Sequence, residues 1–123
     1  MYKKILAVDD DADMLEFLNR LLVQYGYEVK TLSRGEKVFD AVETFKADLI
    51  LLDMMLGATD GNIICSALKS KPETMHIPVI SISGYYQFAA KVYDNESHAP
   101  NDFLLKPFSI KSLINKIELQ LAA

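Results

Sequence analysis

The feature that most constrains this chain is its rhythm: short strand-like runs, most of them apolar, alternate five times with stretches of helical period. Helices that cover both faces of a parallel sheet produce that pattern, because each strand is then buried on both sides. Ile5–Val8 reads as a buried strand, followed by Met14, Leu15, Leu18, Leu21, Leu22 and Tyr25 at helical spacing as far as Gly26. Tyr27–Leu32 alternates apolar with polar, like a strand near a sheet edge. Ser33 and Glu36 then have the spacing of a capping box ahead of Val38, Val42 and Phe45. Leu49–Leu52 is apolar throughout and belongs at the sheet centre, with Ile63, Ile64, Ala67 and Leu68 lining the helix after it; Lys69–Glu73 reads as a polar loop. Pro78–Ile82 is the fourth strand, a helix around 88–97 follows, and Phe103–Leu105 is the fifth strand. Ser109 is placed to cap a last helix that turns Ile110, Leu113, Ile114, Ile117 and Leu121 inward.

Composition bounds what such a sheet can serve. At 123 residues, half of them hydrophobic and 24% charged, the chain is expected to be one domain, 1–123, with its own core. A single cysteine, Cys65, excludes an internal disulfide or a multi-thiolate metal site and suits a reducing compartment. With a net charge of −4 and no block of Lys or Arg, direct nucleic-acid binding is not expected. The apolar runs are far too short to span a bilayer, and the first residues read as neither signal peptide nor anchor, so a cytoplasmic location is expected.

In an open parallel sheet the ligand crevice lies beyond the carboxyl ends of the strands, where chain order reverses. Asp9-Asp10-Asp11 follows the first strand, Asp53 the third, Ser81-Ile82-Ser83 closes the fourth, and Lys106 follows the fifth. The simplest order puts the first, third and fourth strands side by side, which brings Asp9 and Asp10 beside Asp53. Carboxylates so crowded repel unless one is protonated or a cation sits among them. All the donors are oxygens, which favours a hard ion, Mg²⁺ or in its place Mn²⁺. Lys106 and Ser83 are then placed to hold phosphoryl oxygens, and Asp53, projecting from the central strand, is the natural nucleophile for forming an acyl phosphate.

From Met1 to about Leu121 the sequence resembles the receiver domains of two-component response regulators. The match is carried by Ile5-Leu-Ala-Val-Asp-Asp-Asp11, by Leu51-Leu-Asp-Met-Met55 with Asp60-Gly61, by Pro78-Val-Ile-Ser-Ile-Ser83 and by Asn101-Asp-Phe-Leu-Leu-Lys-Pro-Phe108, four motifs in order at matching spacing. The resemblance implies a flavodoxin-like, doubly wound (βα)5 fold with a five-stranded parallel sheet in the order 2-1-3-4-5 and a cis Lys106-Pro107 peptide. It implies that Asp53 is the phosphoacceptor, that Asp9, Asp10, Asp53 and the Met55 backbone carbonyl hold Mg²⁺, and that Ser83 and Lys106 contact the phosphoryl group. It also implies a switch, in which Ser83 moves toward the phosphoryl group and Phe103 turns inward, reshaping the face of the fourth helix, fifth strand and fifth helix.

The sequence departs from the family where Gly57 replaces a frequent Pro, Gly84 a usual Ala and Leu105 a common Thr; the two glycines imply looser loops. Met55 and Tyr85 are placed to screen an acyl phosphate from water. The blander readings are a helix cap for the acidic run, a solvated charge for Lys106, a core aromatic for Phe103 and surface positions for His76 and His98.

The expected partners are a histidine kinase or histidine phosphotransfer protein as donor, and a downstream protein on the switch face. The expected state is a monomer or weak dimer, catalysing only its own phosphorylation and dephosphorylation. The alternative is a receiver-like docking module that is never phosphorylated. An aspartate-nucleophile phosphatase would need an acid where Met55 stands, and a flavin or nucleotide site would be repelled by Asp9-Asp10-Asp11. No output domain follows within these 123 residues, as expected of a stand-alone receiver or of a piece of a longer regulator or hybrid kinase.

Overall fold

Residues 2–57, 59–84 and 98–122 are described in the computed structural model of the chain. In chain order the elements are β1 (Lys4–Val8), α1 (Ala12–Gln24), β2 (Glu28–Leu32), α2 (Val38–Phe45), β3 (Leu49–Asp53), the short β4 (Met55–Leu56) and β5 (Thr59–Asp60), α3 (Gly61–Ser70), β6 (Val79–Ser83), β7 (Asp102–Leu105) and α4 (Ile110–Ala122). The expected helix around 88–97, and Tyr85 and Tyr86, lie outside the described residues.

Because side chains alternate across a strand, the apolar runs feed two cores. Leu6, Val8, Ile50, Leu52 and Val79 join α2 and α3 on one face, while Ile5, Ala7, Leu49, Leu51, Ile80 and Ile82 join α1 and α4 on the other. Burial on both faces is why these runs are apolar up to their carboxyl ends, except at Ser81 of β6, which is itself buried. The five strands form one parallel sheet in the order β2-β1-β3-β6-β7, which is the expected 2-1-3-4-5 order with β6 and β7 as fourth and fifth strands. The fold is therefore the doubly wound, flavodoxin-like one. β3 is central and fully buried, and it runs one residue further than its apolar stretch, taking in Asp53.

Four local expectations are corrected. The Ser33–Glu36 capping box does not form; a 3-10 turn at Gly35–Lys37 leads into α2, which has no side-chain cap. Gly35 is drawn inward there against Ile64 and Leu56, which leaves no room for an open first turn. α3 is rotated from the expected face: Ile64, Cys65, Leu68 and Lys69 are buried while Ile63 is 67% exposed, because Gly61 sets the helix directly on the end of β3. Lys69 is not part of a polar loop. Its ammonium is buried and donates to the Ile77 carbonyl at 2.8 Å, tying down the segment between α3 and β6. Ile110, the first residue of α4, is exposed rather than inward. The Ser109 cap does form, its hydroxyl accepting from the Ser112 amide at 3.0 Å. Among the described residues no helix is long and apolar enough to cross a membrane.

Gly26 ends α1 at φ +92°, and a Cβ there would meet nothing within 4 Å. Its replacement therefore tests backbone conformation alone. Gly26→Ala is expected to lower stability by about 1 kcal/mol, read as a lower urea midpoint with an unchanged slope.

Candidate functional site

Register brings the acids together. Val8 pairs with Leu52 across β1 and β3, so Asp9 and Asp53 leave the same edge of the sheet side by side. The Asp9 amide donates to the Leu32 carbonyl of β2 at 3.1 Å, which prolongs the ladder by one bond and fixes where its side chain starts. Asp9 and Asp53 are both buried and Asp10 is exposed, yet carboxylate oxygens of all three lie within 4.8 Å of one another. The acidic run divides its labour. Asp11 caps α1, accepting from the Asp13 amide at 2.9 Å and the Met14 amide at 3.4 Å, so the helix-cap reading is correct for this one residue.

Among the described residues a single ammonium faces the cluster. Lys106 leaves the end of β7, held by its amide's bond to the Ser83 carbonyl at 2.7 Å, and the Lys106-Pro107 peptide is cis as expected. Its Nζ donates to Asp9 Oδ2 at 2.9 Å and stands 3.5 Å from Asp53 Oδ2. Burial pulls the Lys106 pKa down, but the hydrogen bond to Asp9 and the charges of Asp9 and Asp53 outweigh it, and the net shift is upward. Asp53 moves the other way for a carboxylate. Burial first, and then the charge of Asp9, push it up to about 6 against the lowering effects of the Met55 amide and Lys106. That amide donates to Asp53 Oδ1 at 3.1 Å, so Asp53 has one oxygen tied and the other nearer the cluster's cation.

Three negative groups against one positive leave a site that suits a hard divalent cation. The side-chain donors are all oxygen, and burial together with the charge of Asp9 raises the Asp53 pKa despite Lys106 beside it. A carboxylate beside a cation and an ammonium is equipped to attack an electrophile such as phosphorus. Ser83 is buried at the end of β6. Phe103 is half-buried on β7, and the register Ser81 with Phe103 and Ser83 with Leu105 makes Ser83 and Phe103 diagonal neighbours on one face. Met55 lies on the rim, 43% exposed. His98 takes no part in the cluster; it packs on α3, its Nδ1 3.4 Å from Ser66 Oγ. A groove of about 660 Å³ walled by Phe39, Val42, Lys46, Lys71, His76 and Ile77 lies at the amino end of β3 and shares no residue with the cluster.

Comparison with known proteins agrees with this geometry. The response regulator receiver domain family matches residues 5–118. The chain belongs to that family. As a receiver domain of two-component response regulators it is a phosphorylatable signalling switch. It is 34% identical over 126 residues to the alkaline phosphatase synthesis transcriptional regulatory protein PhoP of Bacillus subtilis, covering 97% of this receiver and 51% of that protein. The receiver thus spans about half the length of the curated relatives it matches. A response-regulator candidate of Chloroflexus aurantiacus superposes with a TM-score of 0.89 at 28% identity, over 100% of both chains. TrrA of Thermotoga maritima, solved in complex with Mg(2+)-BeF, superposes with a TM-score of 0.83 at 25% identity, over 96% of this receiver and 98% of that chain.

Two parts of the receiver's site were not foreseen. The β4–β5 hairpin after Asp53 and the close seat of Gly61 beneath it were given no role, although Gly57 and the Asp60-Gly61 pair were visible signals of a turn and a helix start.

The raised Asp53 carboxyl carries a pH signature in EDTA. Its pKa is above the unfolded value, so its contribution is fully favourable below the unfolded pKa and is lost as pH rises through about 6. Metal-free protein is expected to lose about 1–3 kcal/mol across that window, and Asp53→Asn to be correspondingly more stable than wild type at neutral pH, both read by urea unfolding.

Proposed function

We propose that the whole chain, 1–123, is one receiver that accepts a phosphoryl group on Asp53 from a phosphohistidine of a kinase or phosphotransfer protein. The observation that carries this reading is the Asp53 carboxylate itself: buried at the end of the central strand, one oxygen held by the Met55 amide, the other 3.5 Å from Lys106, with two further acids beside it. In this reading Asp9, Asp10, Asp53 and the Met55 carbonyl hold Mg²⁺, for which Mn²⁺ substitutes. When bound, the ion offsets negative charge as the phosphoryl group arrives. The Mg(2+)-BeF complex named for TrrA supports that assignment by likeness.

The chain's own residues do the rest. An oxygen of Asp53 forms the new O–P bond in line while the P–N bond to the donor imidazole breaks. The ring nitrogen keeps the bonding pair, and the proton on its other nitrogen makes it a neutral leaving group. Lys106 steadies a phosphoryl oxygen as a point charge and Ser83 donates to another. Water later cleaves the acyl phosphate, returning the Asp53 carboxylate and inorganic phosphate. The chain thereby modifies only itself and turns over no metabolite. Movement of Ser83 toward the phosphoryl group frees space for its diagonal neighbour Phe103, which turns inward and reshapes the β7–α4 face for a downstream protein. The reading places the receiver in the cytoplasm as a monomer or weak dimer, without direct contact to nucleic acid or membrane.

Incubation with acetyl phosphate and magnesium chloride is expected to add one phosphoryl group by intact-mass spectrometry, with none on Asp53→Asn. No gain from acetyl phosphate or from any phosphohistidine donor would overturn the reading in favour of a docking module. Ser83→Ala is expected to keep the mass gain but to lose the change in Phe103 ring shifts that phosphorylation causes in the wild type, read by NMR. An unaltered ring response in that variant would remove Ser83 from the switch.

A further inference from the structure

Asp53 is followed at once by the short β4–β5 hairpin, which leads into α3. Met55–Leu56 pairs antiparallel with Thr59–Asp60, and Gly57 at φ +60° opens the two-residue turn between them. Many receivers have Pro at this position, and a pyrrolidine ring fixed near −65° is incompatible with the turn seen here. Gly57 is therefore not a loosened loop, as the sequence suggested, but a requirement of a closed hairpin.

Two glycines lie against the hairpin, Gly61 facing backbone and Gly35 facing only side-chain ends. Below it, the Gly61 amide donates to the Met54 carbonyl at 3.0 Å, and the Met54 amide to the Ile82 carbonyl of β6 at 3.0 Å. A Cβ on Gly61 would collide with the carbonyl oxygen of Asp53 and stand 2.7 Å from Met54 Cα, both backbone atoms fixed in the sheet. Outside it, a Cβ on Gly35 would meet only side-chain ends, Ile64 Cδ1 at 2.5 Å, Thr59 Cγ2 at 3.2 Å and Leu56 Cδ1 at 3.3 Å. Asp60, the last residue of the hairpin, caps α3 by accepting from the Asn62 amide at 2.8 Å. The first amide of the hairpin, on Met55, is the one that holds Asp53 Oδ1.

We propose that Gly61 is a positioning residue for phosphoryl acceptance: by letting α3 press against the backbone of Asp53 and Met54, it sets the β4–β5 hairpin so that the Met55 amide fixes the Asp53 carboxylate and the Met55 carbonyl faces the cation site. The proposal rests on the reading of Asp53 as phosphoacceptor. Its own content is that the aim of Asp53 is set by this glycine and the hairpin above it, and not by the strand alone. A displacement of a few tenths of an ångström at Gly61 passes straight to the reacting group, since no flexible side chain lies between to absorb it.

The test compares Gly61→Ala, Gly57→Pro and Gly35→Ala in the full chain. The readouts are the rate of phosphoryl uptake from acetyl phosphate with magnesium chloride, corrected for folded fraction, and the ¹⁵N–¹H shift and exchange rate of the Met55 amide without metal. Gly61→Ala is expected to slow uptake by more than about tenfold and to shift and deprotect the Met55 amide. Gly57→Pro, at an exposed turn position where a Cβ would meet nothing within 4 Å, is expected to shift the same amide and slow uptake with less loss of stability, and it decides the matter if Gly61→Ala fails to fold. Gly35→Ala is expected to lower the melting temperature yet stay within about twofold of the wild-type rate, because side-chain ends relax where backbone does not. A folded Gly61→Ala with wild-type uptake and an unmoved Met55 amide would overturn the proposal. So would a Gly35→Ala that slows uptake as much as Gly61→Ala, since the effect would then be general destabilisation. Should the wild type take up no phosphoryl group, the phosphoacceptor reading fails, and the Met55 amide of the metal-free variants alone decides the role of Gly61.

Discussion

Everything at the functional edge follows from placing three carboxylates around one ammonium where water is scarce. Two unit charges 4.8 Å apart repel by roughly 3–4 kcal/mol at an effective dielectric near 20, and burial of Asp53 adds to that. Lys106 relieves part of it, and a divalent cation held by the same carboxylates would relieve more. Such an arrangement is costly for a fold to maintain, and only a rigid support keeps the groups from moving apart. The support is the central strand: five consecutive buried residues, Leu49 to Asp53, flanked by β1 and β6 and covered by two cores. The apolar run gains free energy from burial on both faces, and the charge at its end is carried along with it.

The two cores also explain why the participating residues come from distant parts of the chain. Asp9 and Asp53 are neighbours because β1 and β3 are, and Lys106 arrives through β6 and β7, its amide bonded to the Ser83 carbonyl. The five strands are all parallel, so every one of them ends on the same rim. The groove at the opposite edge, walled in part by Lys46, Lys71 and His76, collects connecting segments and lacks the crowded acids that distinguish the carboxyl rim.

What could be read from the sequence was whatever burial dictates. Apolar runs marked four of the five strands and alternation marked β2; the simplest winding put the first, third and fourth strands side by side and so Asp9 beside Asp53, while the full order came from the family resemblance. Less visible were features set by contacts between segments far apart in the chain. Ser33 and Glu36 have ideal spacing for a capping box, but Gly35 between them is claimed by packing against Ile64 and Leu56. Lys69 looks like surface charge until the Ile77 carbonyl is seen beside it. Ile63 was assigned inward on periodicity, yet the phase of α3 is set by the approach of Gly61 to backbone, which no pattern of hydrophobicity records.

The same distinction bears on how the site responds to added charge. On one side of Asp53 stand the hairpin and α3, joined backbone to backbone through Gly61 with no adjustable side chain between. On the other stands β7, an edge strand of four residues whose Phe103 is only half-buried and whose Asp102 is tied to α4 through Lys116 at 3.0 Å. Repulsion or attraction generated at Asp53 moves whichever side yields at lower cost. A close-packed backbone contact gives way only with strain, whereas a half-buried aromatic ring at a sheet edge has fewer packed neighbours to displace. On the proposed reading, in which Asp53 gains a phosphoryl group, the side joined backbone to backbone would resist displacement and the β7 side would take it up.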